Sequence, residues 1–195
     1  MMKYPNFFDK IPTIIVQDDL SALLGTNEDG NIEFSYLEIV KMAGHSCAVV
    51  SGAYIMTQIG LKELYPNEIP QRGNIKVEIK DRLEDGNTGV FGSVYSNITG
   101  ATTNTGFGGL GGKYNRRNLL FYGISMQGNV RFTRLDTGVS VELSYNHGVA
   151  VNPGAIMQSA FGPNATEETR KTFPKRWQEM VKTIFDHAEE VVKIV

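Results

Sequence analysis

The residues with the clearest chemical potential are a histidine and the single cysteine of the chain, His45 and Cys47, which one serine separates. An imidazole and a thiolate at this spacing can both bind a soft or borderline cation such as zinc. A cysteine in the first turn of a helix is also favoured as thiolate, because orphan amide groups and the positive end of the helix dipole face it. The alternative is a buried free cysteine beside a histidine that caps a helix.

Two predicted helices hold this pair in the elbow between them. Residues 34–43 are predicted to form a short helix, because Ser35 begins a capping box and Gly44 is a natural stop. Residues 47–65 are predicted to form a second helix that is apolar on nearly every side and therefore central and buried. Gly52 within this second helix would let another backbone approach closely.

A second candidate region is the glycine-rich stretch 99–117, in which six of the fourteen residues from position 99 to position 112 are glycine. Such a loop can present backbone amides to an anion, and Arg116 and Arg117 would add charge. Asn104 is included with them as a ligand-binding candidate. The stretch is neither a Walker loop nor a dinucleotide fingerprint, since no helix follows its glycines. The alternative is a long connection that needs positive φ angles and carries both arginines on the surface.

The two remaining histidines have different predicted places. His147 follows the last predicted strand, at a sheet edge from which its side chain could reach a cleft, so it is a candidate ligand-binding residue, although a lone histidine is more often structural. His187 lies off the apolar stripe of the C-terminal helical region and is predicted to be on the surface. Pro174 suits either the start of a helix or a break after a short helix.

In the second half of the chain an alternating pattern predicts strands. Residues 75–80 alternate apolar and charged side chains, and residues 130–134 and 139–145 are predicted to form a hairpin. Two further strands are predicted at 90–98 and at 118–122, the latter apolar enough to be central. These elements predict an α+β fold, with a buried helix and flanking helices packed on a mixed, largely antiparallel sheet.

The composition indicates one domain of ordinary size and limits its partners. The 195 residues are 41% apolar and carry a net charge of −2, with no face that concentrates lysine and arginine, so we expect no nucleic-acid partner. No signal peptide and no bilayer-spanning apolar run are evident, and one cysteine suits the cytoplasm. The predicted domain consists of an N-terminal arm (1–33), a core (about 34–145) and a C-terminal helical region (about 165–195).

One apolar segment indicates self-association. Residues 155–161 are predicted to be a loop between two turns, yet they are apolar for a loop. Together with the apolar stripe of the last helix, they provide more apolar surface than is needed to cover one small sheet. We therefore expect a homodimer.

Several segments resemble, in order, the FmdE-like family, which takes its name from a component of formylmethanofuran dehydrogenase. Residues 44–47 resemble its Gly-His-x-Cys-Pro-Gly motif, residues 118–123 its Gly-Asn-Leu segment and residues 128–133 its Gly-Lys-x-x-Phe segment. Residues 136–138 then look like its closing hairpin. The match covers roughly residues 34–145. The resemblance implies a single, often dimeric α+β domain with a metal site, zinc being the expected metal, that uses the histidine and the cysteine of the motif.

The chain departs from the family pattern in three places. Ala48 and Val49 stand where the family has Pro-Gly, and Ala43 stands where many members have another histidine. Ala101 stands where a cysteine would be a plausible further ligand. The shell of protein ligands would then need His147, a carboxylate, a hydroxyl or water, which is the open arrangement of a catalytic or ligand-binding metal.

Two functions are therefore open. In the first, a metal-binding domain holds a small anionic ligand in a cleft walled by the glycine-rich loop, either as an accessory or carrier protein or as an enzyme that uses metal-bound water. In the second, no metal binds, and the chain is a binding or dimerisation module or an enzyme that depends on the Cys47 thiol.

Overall fold

The computed structural model describes residues 3–195, and within them the chain has the predicted α+β fold. The α-helices lie at Asp19–Leu23 (α1), Tyr36–Ala43 (α2), Ala48–Leu64 (α3), Thr88–Thr99 (α4), Pro153–Phe161 (α5), Glu167–Asp186 (α6) and Ala188–Val191 (α7). The strands lie at Ile14–Gln17 (β1), Asn31–Phe34 (β2), Ile75–Ile79 (β3), Leu120–Phe121 (β4), Val130–Arg134 (β5), Ser140–Tyr145 (β6) and Val192–Ile194 (β7). Among these residues, no helix is both long and apolar enough to cross a membrane.

The main sheet is mixed, as predicted. Its strand order is β4-β3-β5-β6-β7, in which β3 and β4 are parallel and the other pairs are antiparallel. The alternation in β3 buries Val77, which lies opposite Phe132 of β5, and the next position, Glu78, faces the other side beside Arg131. The apolar side chains of β3 are thus buried on one face of the sheet, and its charged side chains are partly exposed on the other.

The predicted buried helix, α3, covers the apolar face of the sheet. It packs on β5 and β6, and also on α2, α4 and α6. The close approach predicted at Gly52 was that of another backbone, but a side chain lies there instead, since a Cβ atom at this position would run into the ring of Tyr145. Gly60, two turns further along the helix, likewise leaves room for an aromatic ring, since a Cβ atom there would lie 2.7 Å from the ring of Phe132.

The elbow before α3 has the predicted form. Ser35 and Glu38 make a complete capping box at the start of α2, and Gly44 ends that helix in the left-handed region with a φ of 78°. Cys47, which was expected in the first turn of this helix, is instead the N-cap residue of α3, one position earlier.

The strand predicted at 90–98 is wrong, because this segment forms helix α4. Phe91, Tyr95 and Ile98 are spaced four and three residues apart, which is a helical period, and Gly100 ends the helix with a φ of 75°. The β-branched and aromatic content favoured a strand, but packing against α3 favours the helix.

The strand predicted at 118–122 is shorter than expected and is not central. Only Leu120 and Phe121 pair, in parallel with β3 at the edge of the sheet. Asn118 has a positive φ of 57°, which is not an extended conformation, so the strand cannot begin at this residue. Tyr122, which helped to make the segment look central, packs instead against Gly92 of α4.

Two predictions for the C-terminal third are also wrong. Residues 155–161 belong to helix α5 and not to a loop, because Asn152 caps the first turn and Pro153 occupies the first helical position. Pro174 neither starts nor breaks a helix, since α6 continues through it and buries Met180 and Ile184 on the far side. His187 lies partly exposed at the end of α6, as predicted.

Candidate functional site

The elbow between α2 and α3 is anchored by its serine. The Ser46 hydroxyl lies 2.9 Å from the buried hydroxyl of Tyr36, and the indole of Trp177 donates to the Ser46 carbonyl at 3.0 Å. The histidine and the cysteine on either side are less enclosed. His45 is exposed with its Nδ1 atom 3.0 Å from the carbonyl oxygen of Ala43, and Cys47 is a half-buried free thiol.

The elbow does not gather further metal ligands around this pair. Within residues 3–195, no group of three or more His, Cys, Asp and Glu side chains is placed to hold a metal ion. Ala101, which stands where the family resemblance implies a cysteine, is fully buried in the apolar core. Any metal at His45 and Cys47 would therefore rest on two protein ligands and on water.

The glycine-rich stretch separates its two arginines. Arg116 is buried, and its guanidinium donates to Asp18 at 2.6 Å. Arg117 is exposed and folds back along the loop, where its Nε atom donates to the Gly106 carbonyl at 2.7 Å. Asn104 is exposed on the same loop. The two guanidiniums therefore do not form one anion site: that of Arg116 pairs with Asp18 inside the protein, and that of Arg117 lies at the surface.

A cleft of about 410 Å³ lies elsewhere, between the loop that follows β3, the start of α4 and the end of β6. This volume is within the range of small-molecule sites. Its lining consists of Val49, Ile79, Asp81, Asp85, Gly86, Asn87, Thr88, Phe91, Tyr95, Asn129, Tyr145, Asn146 and His147. Of the residues proposed from the sequence, the cleft contains His147 alone, and neither the glycine-rich stretch nor Cys47 lines it.

Aromatic rings form one side of the cleft. The ring of Tyr145 lies 5.9 Å from that of His147 and 6.2 Å from that of Phe91, each edge-to-face. The Tyr145 hydroxyl donates to the carbonyl of Ala48 at 2.6 Å, which fixes the ring against α3. Burial raises the pKa of Tyr145 above its ordinary value, so this hydroxyl stays a neutral donor.

Three polar residues of the cleft differ in their protein partners. The Nδ1 atom of His147 is buried and has no hydrogen-bond partner among residues 3–195. The Asp81 carboxylate, on the loop after β3, is exposed and likewise unpaired within the described chain. The Asp85 carboxylate accepts one bond, from the backbone amide of Arg82 at 3.1 Å. The Asp81 carboxylate and the remaining bonding capacity of Asp85 are therefore available to a ligand, whereas the Nδ1 atom of His147 has almost no accessible surface of its own.

Sequence reasoning missed Asp81, Asp85 and Phe91. The signal that could have found them is the acidic turn between β3 and the next element. Its carboxylates line the same cleft as the aromatic rings because the segment that follows is a helix, which places Phe91 beside Tyr145 of β6.

The chain matches no protein-family model, no curated protein and no solved structure. The resemblance to the FmdE-like family therefore stays a prediction, which rests on the sequence segments described above.

Proposed function

We propose that this protein binds a small, partly aromatic organic molecule in the cleft between β3, α4 and β6. The observation that supports this most is the pairing of an aromatic wall with the open carboxylates of Asp81 and Asp85 around one cavity of about 410 Å³. Apolar walls with a few convergent polar groups are the usual composition of a ligand pocket. Binding is favoured over thiol-dependent catalysis at this cleft, because Cys47 is not among its lining residues.

The test is a screen of small aromatic compounds by ligand-observed NMR with the full chain. We expect binders whose signals are lost on Phe91→Ala, which removes part of the wall. Phe107→Ala is the matched control, since that ring lies 43% exposed on the glycine-rich loop, outside the cleft. The proposal fails if the wild type and Phe91→Ala retain the same compounds equally.

A zinc site at His45 and Cys47 is the second candidate. It is supported by the contact between His45 Nδ1 and the Ala43 carbonyl, which would leave Nε2 directed outward, as in many metal-binding histidines. The half-buried free thiol at the start of α3 would supply the second ligand. With two protein ligands, the affinity would be lower and the exchange with chelators faster than in a closed four-ligand site.

Zinc content after saturation and dialysis tests this candidate. One equivalent per chain in the wild type, lost in Cys47→Ser and strongly reduced in His45→Ala, would support it. His187→Ala is the control for surface histidine binding, since His187 pairs with Glu190 at the far end of α6. Much less than one equivalent in the wild type would overturn it.

The assembly proposed is a homodimer through α5. This helix packs on α6, and its remaining face leaves Phe161 62% exposed and Met157 44% exposed. No charged residue occurs from position 148 to position 166, a depletion typical of interface cores. Light scattering at micromolar concentration should give twice the chain mass of 21.6 kDa, and Phe161→Asp should restore the monomer. A monomeric wild type would contradict the proposal.

A further inference from the structure

Resting on the proposed cleft, we infer that its ligand is an organic cation, a compound that carries an ammonium group beside an aromatic body. A cationic ligand differs from the anion expected from the sequence, which was suggested by the arginines of the glycine-rich loop. Those arginines lie outside the cleft, so they do not set the charge that it accepts.

The charged side chains that line the cleft are all acidic. Asp81 and Asp85 belong to the lining, and no lysine or arginine does. The nearest arginine in sequence, Arg82, is not part of the lining and pairs with Glu84 at 2.7 Å. An anion entering here would meet two carboxylates and no cation, which is unfavourable, whereas an ammonium group could pair with them.

The aromatic wall fits the same charge. Phe91 and Tyr145 both line the cleft, with their ring centroids 6.2 Å apart and the rings edge-to-face. A cation over the face of a phenyl or phenol ring is attracted by its quadrupole, and more strongly where water is partly excluded. Because Tyr145 is tethered through its hydroxyl to Ala48, its ring is already in place and need not be ordered by the ligand.

One positive element does face the cleft, the start of α4, where Asn87 and Thr88 lie. Its dipole is partly offset by Asp85, which lies two residues before the cap. Asp81 has no such local counterpart and is unpaired within the described chain. The charge preference of the cleft is therefore set by Asp81.

Isothermal titration calorimetry with three probes of matched shape and different charge tests the inference. The probes are 2-phenylethylamine, 2-phenylethanol and phenylacetate, which are cationic, neutral and anionic at pH 7. We expect the amine to bind most tightly and phenylacetate to give no measurable heat at low salt. Asp81→Asn should weaken the amine about fivefold, a typical loss for a charge-assisted contact near the surface.

Glu84→Gln is the matched control, because it removes the same charge from the same loop but does not line the cleft. It should leave the affinity for the amine unchanged. If phenylethanol or phenylacetate binds as tightly as the amine, or if both substitutions have equal effects, the inference about charge is wrong and the cleft remains a ligand site. If none of the three probes binds at millimolar concentration, the proposed function fails as well.

Discussion

Two aspartates of this protein differ in burial and in hydrogen bonding: Asp18 is buried and paired, whereas Asp81 is exposed and unpaired among the described residues. The first has a structural role, and the second is open to a ligand. Asp18 is 3% exposed and is held by Arg72 at 2.8 Å, by Arg116 at 2.6 Å and by the backbone amide of Leu20. Asp81 is exposed at the mouth of the cleft and has no partner among the described residues. A carboxylate whose bonding capacity is used joins elements together, whereas one whose capacity is open can bind something else.

Asp18, Arg72 and Arg116 form a buried cluster of charges, the Asp18 cluster, which fixes one end of the glycine-rich stretch. It joins the N-terminal arm to Arg72 and to Arg116, 98 residues away along the chain. Burial alone would raise the pKa of Asp18, but the hydrogen bond from Arg72 and the charges of both guanidiniums outweigh it and hold the pKa below the ordinary value of 3.8. Arg116 is thereby committed to holding the loop in place.

The largest effect is expected from Asp18→Asn. Removing the charge leaves Arg116 buried without its counterion, and breaking a buried pair from one side costs about 3 kcal/mol or more. Asp81→Asn is the control, since an exposed, unpaired side chain should change the free energy of unfolding by no more than about 0.5 kcal/mol. Urea unfolding measures both. Equal losses in the two variants would remove the distinction between the two aspartates.

The same cluster predicts how stability depends on pH. Because the folded-state pKa of Asp18 is depressed, its stabilising contribution is fully present above its unfolded pKa, near 3.8, and is lost as the pH falls through the lower folded value. The difference in free energy of unfolding between the wild type and Asp18→Asn should therefore be constant from pH 7 to about pH 5 and shrink below about pH 4. A difference that grows on acidification would contradict this assignment.

A smaller effect is expected at the wall that the cleft shares with α3. Gly52→Ala would press a methyl group into the ring of Tyr145. We expect this overpacking to lower the free energy of unfolding by about 1–3 kcal/mol and to displace the Tyr145 ring from the wall of the cleft. Gly89→Ala is the control in a helix with room, because its nearest neighbour atom would be 3.7 Å away. Gly52→Ala should lose both stability and affinity for 2-phenylethylamine, and Gly89→Ala neither. Unchanged affinity in Gly52→Ala would mean that Tyr145 does not shape the site.

Local signals predicted much of the fold. The capping box at Ser35, the stop at Gly44 and the alternation in β5 and β6 are encoded by neighbouring residues, and the structure confirms the elements that they define. The error at α4 arose where two local signals conflict, since its residues have strand-like composition but helical spacing. Tertiary packing on α3 decides such cases.

The candidate site was less predictable, because it is assembled from distant parts of the chain. His147 was identified from its place after the last strand, but its neighbours Asp81 and Phe91 depend on the helix that replaced a predicted strand. The role of Arg116 was equally hidden, since nothing near it in the sequence indicates a pairing with Asp18. Pairings across the fold follow from the packing of whole elements, which no local pattern encodes.

An NMR titration of the amide-labelled wild-type chain with 2-phenylethylamine tests cation binding at the cleft most directly. If the cleft binds organic cations, chemical shifts should change at residues 85–88 and 145–147, which line it, while residues 103–117 of the glycine-rich stretch stay unchanged. Changes confined to the glycine-rich stretch, or to residues 45–47, would place binding elsewhere and contradict cation binding at the cleft. An unchanged spectrum at saturating amine would contradict it as well.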